Sequence, residues 1–179
     1  GLVGPITLLV ATGLGRAGLL ALRLVNCNPD AATFTVAGEL VIATGLGLHR
    51  IDGAKSDAGM RTVPLPTFAV EMLKARRGVA YFGEQPMVFP STAGTWRDPN
   101  NFGKQWREVR DQLGVPDVTT HSFRKTVATL IDDSGLSARI GADQLGHSKV
   151  SMTQDRYMTR GKVHTEVAAL LDRAVINDE

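Results

Sequence analysis

Cysteine is almost missing from this sequence of 179 residues, in which Cys27 stands alone. A single cysteine cannot form a disulfide within the chain, and no Cys/His cluster has the spacing of metal ligands. No apolar run reaches the roughly 20 residues that a membrane-spanning helix needs. We therefore expect no internal disulfide, no bound metal, no membrane association and a reducing, cytoplasmic setting.

The sequence also lacks an excess of charge of one sign. It has 20 Lys and Arg against 18 Asp and Glu, a formal net charge of +2. This balance permits a nucleic-acid partner but does not by itself indicate one. Hydrophobic residues make up 43% of the chain, which is enough for a buried core and too much for a disordered protein. The length fits one domain.

Short β-branched runs bounded by glycines lie in the first third of the chain. They predict strands over 33–36, 39–43, 48–51 and 60–65, forming one small antiparallel sheet. An apolar segment over 6–25 precedes them and predicts a buried helix that is interrupted around 13–16.

Helical periodicity dominates from residue 67 onward. It predicts helices over 67–78, 100–113, 120–133, 137–146, 148–158 and 162–175. Thr119 and Thr120 are N-cap candidates for the third of these, Ser137 and Ser148 for the next two, and Gly146 is a C-cap glycine. The expected fold class is α+β, mainly α-helical, with a small antiparallel sheet near the N-terminal third.

His121 and Arg124 lie three residues apart on one predicted helix, so their side chains are neighbours. The planar arginine fork suits a phosphate, and histidine transfers protons near neutral pH. Taken alone, such a pair is also what the polar face of an amphipathic helix presents. His147, just after Gly146, is equally compatible with an ordinary loop histidine.

Tyr157 lies near the end of the following predicted helix. A tyrosine there is usually a packing residue. As a nucleophile it would need neighbouring cations or a proton acceptor, because its unperturbed pKa is about 10.

Taken together, these residues resemble a known signature. The stretches His121-Ser-Phe-Arg124, Gln144-Leu-Gly-His147 and Thr153-Gln-Asp-Arg-Tyr157 are similar, in order and spacing, to the catalytic domain of tyrosine recombinases of the phage-integrase type, particularly those of actinobacterial phages and prophages. Lys55-Ser-Asp-Ala-Gly-Met-Arg-Thr-Val-Pro-Leu65 resembles that family's β-hairpin with its lysine, and Ala11-Thr-Gly-Leu14 resembles its first conserved box.

The resemblance implies a site-specific recombinase that cuts and rejoins DNA through a 3′-phosphotyrosyl intermediate, in phage or prophage integration or excision. Tyr157 would be the nucleophile and Arg124 would hold the scissile phosphate. His121 and His147 would bind that phosphate and assist proton movement, and Lys55 would protonate the leaving 5′-oxygen. No cofactor and no metal are implied.

The same resemblance sets expectations for partners and organisation. The partner would be double-stranded DNA, bound by a homo-tetramer in full-length members of the family and by a monomer of the isolated domain. We expect residues 1–179 to be a single, N-terminally truncated catalytic domain without the arm- and core-DNA-binding domains. Because phosphate contacts dominate DNA affinity, a catalytic domain alone should bind DNA weakly and with strong salt dependence.

The first box departs from the family pattern, which usually reads Thr-Gly-Leu-Arg-x-Gly-Glu-Leu. Gly15 stands where the first catalytic arginine belongs, and Gly18 stands in place of the glutamate. Arg16 comes one residue late, which is about 100° of rotation on a helix, so it should point elsewhere unless the glycines distort the turn. The glycines should also weaken the helix.

The alternative is therefore a degenerate prophage integrase remnant that binds DNA or partners without efficient cleavage. A topoisomerase IB-like relaxing activity is a further alternative, which the compact phage-like boxes disfavour.

Overall fold

The computed structural model describes residues 1–53, 60–77 and 86–157, with side chains up to residue 153 in the last segment. The helices are α1 (Val3–Thr12), α2 (Arg16–Leu20), α3 (Thr67–Arg77), α4 (Pro99–Gln112), α5 (Thr120–Asp133), α6 (Ala138–Leu145) and α7 (Val150–Tyr157). The strands are β1 (Cys27–Asn28), β2 (Thr33–Val36), β3 (Gly38–Ala43), β4 (Gly47–Asp52) and β5 (Arg61–Pro64). The mainly helical α+β fold class is confirmed. None of the described helices is both long and apolar enough to cross a membrane.

The strands form two antiparallel sheets, so the prediction of one sheet was wrong. β1, β2 and β5 make a three-stranded sheet, and β3 pairs only with β4 among the described strands. The chain moves from the first sheet to the second within two residues, because β2 ends at Val36 and β3 begins at Gly38. Strand periodicity in a sequence identifies each strand but carries no information on its partner.

The predicted hairpin around Lys55 stays a prediction, because residues 54–59 lie outside the described part of the chain. Among the described residues, the two strands that flank this segment, β4 and β5, pair with β3 and β2 respectively. In the described part of the chain, β4 and β5 therefore belong to different sheets. Lys55 itself lies outside the described residues, as does the helix predicted over 162–175.

The main core is formed where the first two helices meet the three-stranded sheet. Its side chains are almost completely buried and include Leu8, Leu9, Leu19, Leu20, Phe34, Val63, Leu73, Val88, Phe89 and Phe102. Burying each such side chain contributes about 1.5–3 kcal/mol. A smaller cluster of Ala128 and Leu145, with Val127 packed against it, joins α5 to α6. Helices α1 and α2 therefore pack against the elements that carry the candidate site.

The predicted helix caps of α5 and α6 are confirmed. The hydroxyl of Thr119 accepts from the Ser122 amide at 3.2 Å, and the Ser122 hydroxyl accepts from the Thr119 amide at 2.9 Å, which makes a reciprocal capping box. Ser137 caps α6, and Gly146 ends it with φ +74°. α7 begins at Val150, two residues after Ser148.

The predicted interruption around 13–16 separates α1 from α2. Gly13 ends α1 with φ +67°, and a Cβ built on it would lie 2.7 Å from Leu145 Cδ2. It would also lie 3.2 Å from Val127 Cβ. Residue 13 is therefore a glycine for two reasons, its backbone conformation and the close approach of α5 and α6.

Replacing Gly13 by alanine tests this close approach. The positive φ should cost about 1–2 kcal/mol, and displacing Leu145 and Val127 should add about 1–3 kcal/mol. Urea denaturation would measure the change in the free energy of unfolding. Gly45→Ala is the matched control, because Gly45 has φ +80° and no atom of the described residues lies within 4 Å of its Cβ position, its chain neighbours apart. Equal losses in the two variants would show that packing at residue 13 adds nothing.

Candidate active site

Arg124 lies on α5 and joins the C-terminal ends of two other helices. Its Nη1 donates to the Gly13 carbonyl at 2.8 Å, and its Nη2 donates to the Leu145 carbonyl at 2.7 Å. Carbonyls at helix C-termini lack intrahelical partners and carry partial negative charge, so they are good acceptors for a guanidinium. The end of α1 and the end of α6 therefore fix this side chain in one orientation.

His147 extends this arrangement toward α7. Its Nε2 lies 2.6 Å from Arg124 Nη2, and its Nδ1 lies 2.7 Å from the Thr153 hydroxyl oxygen. Arginine can only donate, so Nε2 is the acceptor and the ring proton is on Nδ1, which donates to Thr153. This geometry assigns a neutral imidazole with its proton on Nδ1. Thr153 is fully buried and holds the ring in place.

Arg61 places a second guanidinium near Arg124. It begins β5, and its Nε donates to the Gln144 carbonyl at 3.0 Å. Burial, followed by the positive charge of Arg124, lowers the pKa of Arg61 to about 10. Arg61 thus remains charged at neutral pH and raises the positive potential beside Arg124, which favours an anion.

An open cavity of about 360 Å³ lies above Arg124. Its described lining residues come from the start of α2 and the start of α5, and they are Leu14, Gly15, Arg16, Thr119, Thr120, His121 and Arg124. The fold therefore brings His121, Arg124 and the altered first box to one cavity. His147 contacts Arg124 from α6's C-terminal side.

Gly15 leaves part of this cavity open. Apart from its neighbours in the chain, no described atom lies within 4 Å of the Cβ position of residue 15. Its φ of −71° and ψ of 148° are accessible to any residue. Gly15 is the N-cap of α2 and not part of it, so the expectation that this glycine weakens a helix was wrong, since glycine is tolerated at an N-cap.

Arg16 lines the rim of the same cavity but its guanidinium is held elsewhere. Its Nη2 donates to Asn100 Oδ1 on α4 at 3.4 Å. Because Gly15 has an extended backbone and precedes the helix, the expected 100° helical rotation does not describe the relation between residues 15 and 16. The displaced arginine instead donates to a partner on α4.

Tyr157 is the last residue of α7 and follows Thr153 by four residues, about one helical turn. Its side chain, like all of Lys55, lies outside the described part of the structure. Sequence reasoning missed Thr153, Arg61, Gln144 and the Gly13 carbonyl as parts of the site. Only Thr153 left a signal, as a β-branched polar residue within a helix just before the tyrosine.

Comparison with known proteins identifies the family of the chain. The family described as "Phage integrase family" matches residues 4–163. The chain belongs to the phage integrase family. A protein from Caldanaerobacter subterraneus subsp. tengcongensis named as tyrosine recombinase XerC-like is 30% identical over 58% of the chain and 29% of its own length. An integrase from Saccharopolyspora erythraea is 32% identical over 64% of the chain and 28% of its own length.

Solved structures share the fold. The Tn1549 transposon integrase, in complex with a circular intermediate DNA, covers 97% of the chain with a TM-score of 0.82 and 19% identity. The chain covers 58% of that integrase and less than one third of the two relatives above. The family match and the shared fold place this chain among the tyrosine recombinases by family.

Proposed function

We propose that the protein cuts and rejoins double-stranded DNA in phage or prophage integration or excision, through a 3′-phosphotyrosyl intermediate. The observation that carries this is the fixed Arg124, oriented by Gly13 and Leu145 and facing an open cavity lined by His121. A guanidinium held in advance by two helix ends needs no reorganisation when a phosphate arrives. The cavity therefore suits a phosphodiester in which negative charge develops.

In the proposed reaction, the Tyr157 hydroxyl oxygen attacks the scissile phosphorus. The tyrosine O–P bond forms, the P–O5′ bond breaks, and the tyrosine proton passes to a histidine of the His121 and His147 pair. Lys55 gives a proton to the departing 5′-oxygen. Attack by a 5′-hydroxyl reverses these steps, so the bond energy is conserved and no cofactor takes part.

Arg124 would bind the non-bridging oxygens and stabilise their charge. His147 would give up its present contact with Arg124 as the phosphate enters, or share it. Thr153 keeps the His147 proton on Nδ1, so Nε2 remains available to accept a proton or a hydrogen bond.

We further propose that cleavage by this chain is impaired. In the family the cavity would hold a second arginine from position 15, and here that position is Gly15. Loss of one preorganised charge-stabilising donor costs about 10²–10³ in rate. This observation also favours the second candidate, a remnant that binds DNA without efficient cleavage.

DNA as the partner is supported by the solved relatives, since the Tn1549 integrase and XerH structures are complexes with DNA. A tetramer on DNA for the full-length protein, and a monomer for the isolated chain, remain our proposals. The same holds for residues 1–179 as one catalytic domain.

Covalent trapping on a nicked suicide substrate tests the function. The full chain should form a slow protein–DNA adduct, and Tyr157→Phe should form none because it lacks the attacking hydroxyl. An adduct that persists in Tyr157→Phe would contradict the assignment of the nucleophile. No adduct from a folded, DNA-binding chain after prolonged incubation would favour the non-cleaving remnant.

A further inference from the structure

A second cavity, of about 200 Å³, lies beside the candidate active site. It shares Arg16, Thr119 and Thr120 with the cavity above Arg124 and extends along α4 to Arg107 and Arg110. Its described lining thus contains three arginines and no carboxylate. Three positive charges around one small cavity form a site for an anion.

The arginines converge because residue 103 has no side chain. A Cβ built on Gly103 would lie 2.6 Å from Arg16 Nη1 and 3.8 Å from Arg107 Nη1. Guanidiniums from α2 and α4 therefore approach the same point, although like charges repel. An anion between them would turn this repulsion into two favourable contacts.

The other sides of the cavity suit a phosphate as well. Thr119 and Thr120 bring the N-terminus of α5, where the helix dipole is positive, and α5 is 14 residues long. Arg110 is partly engaged, since its Nη1 donates to the Val118 carbonyl at 3.3 Å and its Nε lies 3.4 Å from the Asp111 carboxylate. Arg16 uses Nη2 to donate to Asn100, so its Nη1 and the Arg107 guanidinium are the groups best placed to bind an incoming anion.

We propose that this cavity, formed by Arg16, Arg107 and Arg110, binds a second phosphate of the DNA strand whose scissile phosphate enters the cavity above Arg124. The proposal rests on the proposed function, because it takes the ligand of the first cavity to be a DNA phosphodiester. Phosphates of one strand follow each other at about 3.4 Å along the helix axis. Two cavities that share a wall can therefore hold neighbouring phosphates. Arg16, displaced from the catalytic position, then serves to anchor DNA.

Equilibrium DNA binding by the full chain tests the proposal without requiring strand cleavage, so its failure is distinct from failure of the proposed function. The dependence of log Kobs on log salt should become shallower by about 1 in Arg107→Ala, the loss of one phosphate contact. Gly103→Ala should have a similar effect with no change of charge, because the new methyl group excludes the Arg16 guanidinium. Circular dichroism would verify that both variants are folded.

Lys104→Ala is the matched control, since Lys104 is an exposed cation on the same helix that does not line the cavity. An equal change of slope in Lys104→Ala, or no change in Arg107→Ala, would overturn the proposal. Inorganic phosphate is the second probe. If it raises the melting temperature of the wild type more than that of Arg107→Ala, while the DNA slopes of the two are equal, the cavity binds free phosphate and the DNA assignment is wrong.

Discussion

Replacing Gly15 by arginine should increase the rate of covalent DNA trapping by about 10²–10³, the usual effect of one preorganised charge-stabilising donor. Residue 15 lines the cavity above Arg124, and none of the described residues beyond its chain neighbours has an atom within 4 Å of its Cβ position. Its φ of −71° lets arginine be introduced without backbone strain. Single-turnover cleavage of a suicide substrate would measure the change.

Gly15→Gln is the matched control, with a polar side chain that carries no charge and no guanidinium fork. It should recover only a small part of the rate, because the arginine acts through charge-assisted, bidentate hydrogen bonds. Equal rates for the arginine and glutamine variants would show that filling the cavity is enough. An unchanged rate in Gly15→Arg would mean that Gly15 is not what limits cleavage.

Removal of the Arg124 side chain should lower both the free energy of unfolding and the rate of covalent trapping. In Arg124→Met the carbonyls of Gly13 and Leu145 lose their charged donor, and a buried acceptor without a partner costs about 1–3 kcal/mol. Loss of the Arg124 contacts with the two carbonyls and His147 should together lower the free energy of unfolding by about 3 kcal/mol. Trapping by the folded fraction should fall by about 10²–10³.

Urea denaturation and single-turnover trapping, the latter at a temperature where the variant is folded, separate these two effects. Arg139→Met is the control, since Arg139 is an exposed arginine of α6 that pairs with Asp143 at 3.2 Å. Its replacement should lower the free energy of unfolding by about 0.5 kcal/mol. Arg124→Lys keeps the charge but not the fork, so it should fall between wild type and Arg124→Met. Equal stability of Arg124→Met and Arg139→Met would contradict the anchoring role of Arg124.

Local features of the chain were predictable because their causes are local. The Thr119 cap, the Gly146 C-cap and the break after Thr12 follow from residues within a few positions of one another. Strand partners were not predictable on the same basis. The expectation of one sheet failed because β5 pairs with β2, across an intervening pair of strands.

The candidate site divides in the same way. Its signature residues, His121, Arg124, His147 and Tyr157, stand at recognisable spacings, and the sequence alone also shows that arginine is missing at position 15. The roles of these residues remain predictions that the trapping and rate measurements test.

The sequence by itself determined the family, the helical segments with their caps and the substitution in the first box. The tertiary structure alone decided what Arg124 donates to, where Arg16 points and which second arginine lies nearby. Arg124 reaches Gly13 across 111 positions, Arg16 reaches Asn100 across 84, and Arg61 reaches Gln144 across 83. Two of these three acceptors are backbone carbonyls, which every residue has, so no side-chain pattern marks them. Only tertiary packing brings such groups together. The packing of the described residues also leaves the Cβ position of residue 15 unfilled.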